Sequence, residues 1–164
     1  MAEYHFRTLV PADKALFCAW LAEPHIAGWW QDGATEWALI EEDWSHETTR
    51  TDMRIARIDG TDFAYVQSYE AHAYGMPHYA DRPNGAQAMD SFLGDPAYLA
   101  QGHGAGFVRA RALELIGAGA PVVLVDPDVL NTHAIGSYTR AGFIPVEERP
   151  CEDGDPVLVM EFTG

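Results

Sequence analysis

Residues Pro121-Val122-Val123-Leu124-Val125 are apolar without interruption, between Gly117-Ala118-Gly119 on one side and Asp126-Pro127 on the other. A strand with one wet face alternates apolar and polar side chains, so an unbroken short apolar run predicts a strand covered on both faces. The chain must therefore supply packing partners for two sides of one strand. Two helical patterns flank the run. Phe107, Val108, Ala110, Ala112, Leu113, Leu115 and Ile116 give the helix before it a strongly apolar side, and Asn131 to Ala141 forms the helix after it, with Gly142 placed as a C-terminal stop.

The remaining segments fill out a mixed sheet. His5-Phe6-Arg7-Thr8-Leu9 alternates as a short strand does, and Pro11-Ala12-Asp13 opens a helix whose Leu16, Phe17, Trp20 and Leu21 share one face. A second helix is predicted from Glu36 to Trp44. Met53–Ile58 and Phe63–Tyr69, separated by a turn containing Asp59-Gly60, read as a hairpin. Residues 71–85 read as a long loop, 87–93 as a strand ended by Gly94-Asp95-Pro96, and further strands lie near 143–146 and 157–162. The resulting order, β-α-α-β-β-β-α-β-α-β-β, is that of an α/β (α+β) domain. A length of 164 residues, 48% of them hydrophobic, fits a single domain over residues 1–164.

Charge and cysteine content narrow the partners. Ten Lys and Arg against 25 Asp and Glu give a formal charge of −15, which repels phosphate backbones, and no basic stripe offsets it; nucleic acid is not an expected partner. The acidic excess favours solubility and can steer a cationic ligand. No stretch approaches the roughly 18 apolar residues of a membrane span, and the first residues lack the layout of a signal peptide. Cys18 and Cys151 form no C-x-x-C pair, which fits free thiols in a reducing compartment. These features predict a cytoplasmic protein without a membrane partner; the sequence leaves monomer and homodimer both open.

Gln101-Gly102-His103-Gly104-Ala105-Gly106 places three glycines ahead of the apolar run of a helix. Helix starts carry unpaired N–H groups and partial positive charge, and glycines let a phosphate approach the backbone. A Walker loop requires Gly-Lys-[Ser/Thr], where this chain has Gly106-Phe107; a dinucleotide fingerprint requires G-x-G-x-x-G after a first strand, and the spacing here is wrong. A third layout, Q-x-x-G-x-G, is matched by Gln101, Gly104 and Gly106. Downstream, Asn131, Ala134 and Tyr138 give N-x-x-A-x-x-x-Y, closed by Ala141-Gly142-Phe143.

This combination resembles the GNAT acetyltransferase superfamily. Pro24-His25-Ile26 before Trp29-Trp30, Tyr65-x-Gln67-Ser68-Tyr69, Met89-Asp90-x-Phe92-Leu93 and Asp126-Pro127 are most similar to the aminoglycoside 6'-N-acetyltransferases and the siderophore N-hydroxylysine acetyltransferases. The resemblance spans residues 6 to 160. It implies a mostly antiparallel sheet splayed in the middle with helices on both faces, acetyl-CoA as cosubstrate, and direct transfer of the acetyl group to a small amine.

Such a transfer needs a neutral amine, a polarised carbonyl and a proton for the departing thiolate. An alkyl ammonium with a pKa near 10.4 costs roughly 4 to 5 kcal/mol to deprotonate at neutral pH, work that a carboxylate can share. The resemblance assigns the base to Asp90 and the proton donor to Tyr138. A phenol, with a pKa of about 10, is protonated at neutral pH and can supply a thiolate whose conjugate acid is near 8.5. Asn131, about two helical turns before Tyr138, is expected to face the same way and meet the pantetheine arm. Coenzyme contacts are further implied for Gln101, Gly102, His103, Gly104, Ala105 and Gly106, with a backbone N–H near Phe92 or Leu93 polarising the carbonyl.

On the acceptor side Asp126 and Glu70 are candidate carboxylates, with Trp29 and Trp30 as candidate wall residues. Asp before Pro is also an ordinary turn former, and the Trp pair also suits a core. The aminoglycoside-specific relatives carry a second acidic residue in the loop before the catalytic aspartate; here that loop reads Tyr74-Gly75-Met76-Pro77-His78-Tyr79, with Asp81 nearby but out of register. Siderophore hydroxylamine acylation and a non-catalytic acyl-CoA sensor are the alternatives. His72 and His78 form no ligand motif with Glu70 or Asp81, so no metal is expected.

Overall fold

A computed structural model describes residues 2–48 and 50–164. The chain forms β1 (His5–Thr8), α1 (Lys14–Leu21), α2 (Gly33–Ser45), β2 (Thr51–Ile58), β3 (Thr61–Glu70), β4 (Gln87–Leu93), α3 (His103–Gly117), β5 (Val123–Val125), α4 (Thr132–Ala141), β6 (Ile144–Pro150) and β7 (Pro156–Phe162). Short 3-10 turns occupy Pro11–Asp13, Pro77–Tyr79 and Pro96–Tyr98. The seven strands make one mostly antiparallel sheet in the order β1-β2-β3-β4-β5-β7-β6. Contacts group the chain into two compact units, Met1–Gln67 with Ser91–His103, and Ser68–Asp90 with Gly104–Gly164.

The first unit is built on an aromatic core. Phe17 of α1 meets Trp37 of α2 edge-on at 5.6 Å and Tyr65 at 4.9 Å, geometry in which ring edges face ring clouds. Phe17, Trp37 and Tyr65 are among the largest buried side chains. Helix α2 begins three residues earlier than its apolar pattern predicts, because Asp32 caps it by accepting from the Thr35 amide at 3.0 Å. The hairpin turn is as expected: Asp59 and Gly60 both have positive φ, 49° and 79°, as a two-residue turn matching strand twist requires. At the end of β4, Gly94 packs against Trp20; a Cβ there would overlap the indole.

In the second unit, β5 is buried at all three positions, as its unbroken apolar sequence demands. It pairs parallel with β4 only at Gln87–Val123 and Ala88–Leu124, and antiparallel with β7. Strand β4 continues to Leu93 while β5 ends at Val125, so the registered parallel ladder is two residues long. Helix α3 starts at His103, not after the glycines, and takes Gly104 and Gly106 into its first turn. Gly in a helix costs about 1 kcal/mol relative to Ala. Close packing explains its place at Gly104, where a Cβ would stand 3.3 Å from Ser137 Oγ of α4. Helix α4 ends at Gly142 with φ 106°, where Arg109 Nη1 of α3 donates to the Ala141 carbonyl at 3.0 Å. The Arg109 guanidinium also lies 5.3 Å from the Phe162 ring centroid. Arg109 thus ties α3, α4 and β7 together, and α4 is held against the first turn of α3.

The segment between β3 and β4 is not an idle loop. His78 and Tyr79 in its 3-10 turn are buried, and Ala71 N–H donates to Ala86 O at 2.8 Å, closing its base. Arg149 of β6 donates to the His78 carbonyl at 3.1 Å and to both oxygens of Asp81, at 2.6 and 3.0 Å.

Candidate active site

The chemistry-bearing side chains of the second unit gather around two buried phenols. Tyr69, near the end of β3, donates its hydroxyl to the Asp90 carboxylate of β4. Burial pushes the Tyr69 pKa well above the phenol value of 10.0, and the charges of Asp90, Asp126 and Glu152 add to it. Tyr79 is pushed up in the same way, first by burial and then by Asp126, Tyr69, Asp90 and Tyr138. Asp90, Asp126, Tyr69 and Tyr138 thus all act on the Tyr79 hydroxyl. The two phenols stay protonated at neutral pH and act as neutral dipoles among carboxylates.

Asp126 sits immediately after β5, on a segment pinned to β7 by Leu158 N–H donating to Pro127 O at 2.9 Å and Val129 N–H to Pro156 O at 3.2 Å. One carboxylate oxygen lies 2.8 Å from His78 Nε2. Glu152, in the turn between β6 and β7, lies 3.8 Å from His78 Nδ1. Among the described residues, the Tyr79 hydroxyl and His78 Nδ1 are buried with no hydrogen-bond partner.

Tyr138 stands in the middle of α4, its ring 5.7 Å from Phe143 and tilted 62° to it. Its neighbour Ser137 meets the first turn of α3 at Gly104, so the phenol-bearing helix abuts the amides that open α3. Asn131 differs from the expectation that it shares the Tyr138 face. It is the N-cap of α4, with φ −83° and ψ 70°, and its Oδ1 accepts from Ala134 N–H at 3.1 Å. The carbonyl oxygen is therefore committed to the helix, which leaves the amide nitrogen for a ligand.

The first unit holds the other expected coenzyme contacts. The Leu93 carbonyl accepts from His25 Nε2 at 2.7 Å, while the Gly94 and Asp95 amides both donate to Phe63 O, at 2.8 and 2.9 Å. Phe92 belongs to the aromatic core. Ahead of α3 the backbone takes two left-handed residues, Ala100 at φ 57° and Gly102 at φ 82°, turning the chain into the helix. Gln101 folds back, its amide donating to Ala97 O at 2.7 Å. His103, the first residue of α3, holds its Nδ1 3.0 Å from the Tyr4 hydroxyl within a ring cluster that includes Phe63 and Tyr98.

Two expected acceptor residues have local employment. Glu70 accepts from the His72 amide at 3.0 Å, capping the turn after β3. Trp30 packs edge-on against Phe92 at 5.0 Å and Tyr65 at 6.2 Å, at the rim of the core, whereas Trp29 is half exposed. Asp81 is engaged by Arg149 and Arg82 at the surface, an arrangement that holds its carboxyl well below the usual carboxylate range. Glu152, more than seventy residues after the Tyr74–Tyr79 loop, lies 3.8 Å from His78 Nδ1, and its charge acts on Tyr69. Tyr69 was legible only as part of a motif, and Tyr79, His78 and Glu152 carried no sequence signal beyond residue type.

The sequence model of the acetyltransferase (GNAT) domain family matches residues 10–150. Among solved structures, an uncharacterized protein from Bacillus halodurans superposes with TM-score 0.87 at 19% identity, covering 99% of this chain and 84% of that one. AAC(6')-Ib in complex with paromomycin and acetyl-CoA superposes with TM-score 0.82 at 25% identity, covering 98% and 93%. An aminoglycoside N(6')-acetyltransferase from Legionella pneumophila gives TM-score 0.78 at 23% identity, covering 97% and 91%.

Proposed function

Since the chain belongs to the GNAT acetyltransferase family, we propose that it transfers the acetyl group of acetyl-CoA directly to the amine of a small cationic acceptor of the aminoglycoside type. The observation that carries this reading is the meeting of α4, which bears Tyr138, with the glycine-containing first turn of α3 at Gly104, in the same compact unit as the buried Tyr79 phenol on which Asp126 and Asp90 act. Binding of coenzyme A by AAC(6')-Ib, with this fold at 25% identity, supports the same cosubstrate here.

In this reading the amides of Gly104, Ala105 and Gly106, at the positive end of α3, receive the diphosphate, with Gln101, Gly102 and His103 shaping the approach. The backbone fits that role: Gly104 and Gly106 both lie in the first turn of α3, where Gly104 faces Ser137 of α4. Asn131 donates to the pantetheine arm through its amide nitrogen. Asp126, with Glu70 as a secondary contact, holds the acceptor as an ammonium ion.

Asp90 takes the proton from the reacting ammonium, and the freed nitrogen lone pair forms the new C–N bond at the thioester carbon. The C–S bond then breaks, and Tyr138 gives its phenolic proton to the departing sulfur. Tyr69, hydrogen-bonded to Asp90, favours the ionised carboxylate that this step requires. Thiol release from acetyl-CoA, measured with kanamycin A, spermidine and N6-hydroxylysine, tests the reading. Amine-dependent release is expected; acetyl-CoA binding without release by any of the three would favour a sensor.

A further inference from the structure

We infer that His78 is a positioning residue: the buried imidazole fixes the Asp126 carboxylate in the orientation that receives the acceptor's ammonium group. The inference rests on the reading of Asp126 as the acceptor-binding carboxylate. His78 is fully shielded from solvent in its side chain, so it does not itself meet a ligand, whereas Asp126 keeps 21% of its side chain exposed. The contact between them is short, Nε2 to Oδ2 at 2.8 Å. With Nε2–H donating, one carboxylate oxygen is pinned and the other is left for an incoming cation.

The imidazole is itself held from several sides. The backbone carbonyl of His78 accepts from Arg149 Nη1 at 3.1 Å, and the imidazole ring lies 4.2 Å from that of Tyr79. The charged and titratable groups facing it are Asp126 from the segment after β5, Glu152 from the β6–β7 turn, Arg149 from β6, and Tyr79 beside it. Its second nitrogen, Nδ1, has no hydrogen-bond partner among the described residues, with Glu152 Oε2 3.8 Å away. Leaving a buried polar atom unsatisfied is costly, and the arrangement spends that cost on a single geometry in which Nε2 serves Asp126. A histidine kept only for packing would be replaceable by an apolar side chain with no functional loss; this one is attached to a carboxylate that faces the site.

The test uses the full chain saturated with coenzyme A, which prevents turnover, and isothermal titration with kanamycin A, spermidine and 1,5-diaminopentane as ammonium probes. His78→Leu is expected to weaken amine binding about tenfold while coenzyme A affinity stays within about twofold. His78→Gln, whose amide nitrogen reaches about the Nε2 position, is expected to recover most of the loss. Adding Asp126→Asn to His78→Leu is expected to cost no more than Asp126→Asn alone, because the imidazole acts through that carboxylate. Additive losses overturn the inference, as does an equal loss of coenzyme affinity or unchanged amine affinity in His78→Leu. If His78→Leu does not fold, nitrogen-15 spectra of the wild-type imidazole decide. Amine binding must move the His78 Nε2 resonance, and an unmoved resonance overturns the inference. Coenzyme binding with no amine binding by wild type overturns this inference alone; failure to bind the coenzyme overturns the acetyltransferase reading beneath it.

Discussion

Replacing Tyr69 by Phe removes one oxygen from a side chain that is 4% exposed, and with it the hydrogen bond to Asp90. The Met76 sulfur, 3.7 Å from the same hydroxyl, is a weak alternative acceptor and leaves the Asp90 bond as the substantial loss. A hydrogen bond to a charged group contributes about 1.5 to 3 kcal/mol, and it favours the ionised carboxylate over the neutral acid. At about 1.36 kcal/mol per pH unit, the acidic limb of kcat should move to higher pH by about one unit or somewhat more. The direction follows from the sign: a carboxylate that loses a donor holds its proton to higher pH, so less of the base is ionised at a given acidic pH. The assay is thiol release at saturating acetyl-CoA and saturating acceptor, with one acceptor in both proteins so that its own titration cancels. An acidic limb that stays in place with kcat unchanged would refute the link between Tyr69 and a working Asp90.

Other outcomes follow from individual contacts. Tyr138→Phe should lower kcat by about a hundredfold with the Kd for coenzyme A nearly unchanged, as expected of a lost proton donor; equal loss of both would mean that the ring packs and no more. Gly94→Ala drives a methyl into the Trp20 indole, so urea unfolding should report about 3 kcal/mol or more of destabilisation. Asp32→Ala should cost about 1 kcal/mol in the same measurement through the lost α2 cap. Arg7 donates to both Asp13 oxygens, at 2.9 and 2.8 Å, and holds that carboxyl below its usual range. A depressed carboxylate contributes stability at neutral pH that is lost as pH falls through the native value, so wild type should lose stability below about pH 4. Asp13→Asn should be less stable at neutral pH with a flatter acid slope.

The elements that position the site were readable because their signals are local. The unbroken Val122–Val125 run marked the buried strand, Asp59-Gly60 the hairpin, and Gly142 the end of α4. Errors arose where tertiary contact overrides a local rule. The glycines at 104 and 106 read as loop by propensity, yet both lie in the first turn of α3, where Gly104 faces Ser137 of α4. Asn131 counted by helical periodicity shares a face with Tyr138, yet it caps the helix with non-helical dihedrals. Of the carboxylates that act on the two buried phenols, Asp90 and Asp126 were legible through motifs spread over one chain segment each. Glu152 and His78 were not, because what brings His78 to Asp126 and Glu152 toward His78 is a folded segment pinned by Arg149 and the β6–β7 turn, neither of which leaves a periodic trace.

A crystal structure of the protein with coenzyme A bears most directly on the account. The diphosphate should lie on the Gly104, Ala105 and Gly106 amides, with the sulfur in hydrogen-bond reach of the Tyr138 hydroxyl. A coenzyme seated elsewhere, or one whose sulfur is remote from that hydroxyl, would contradict it.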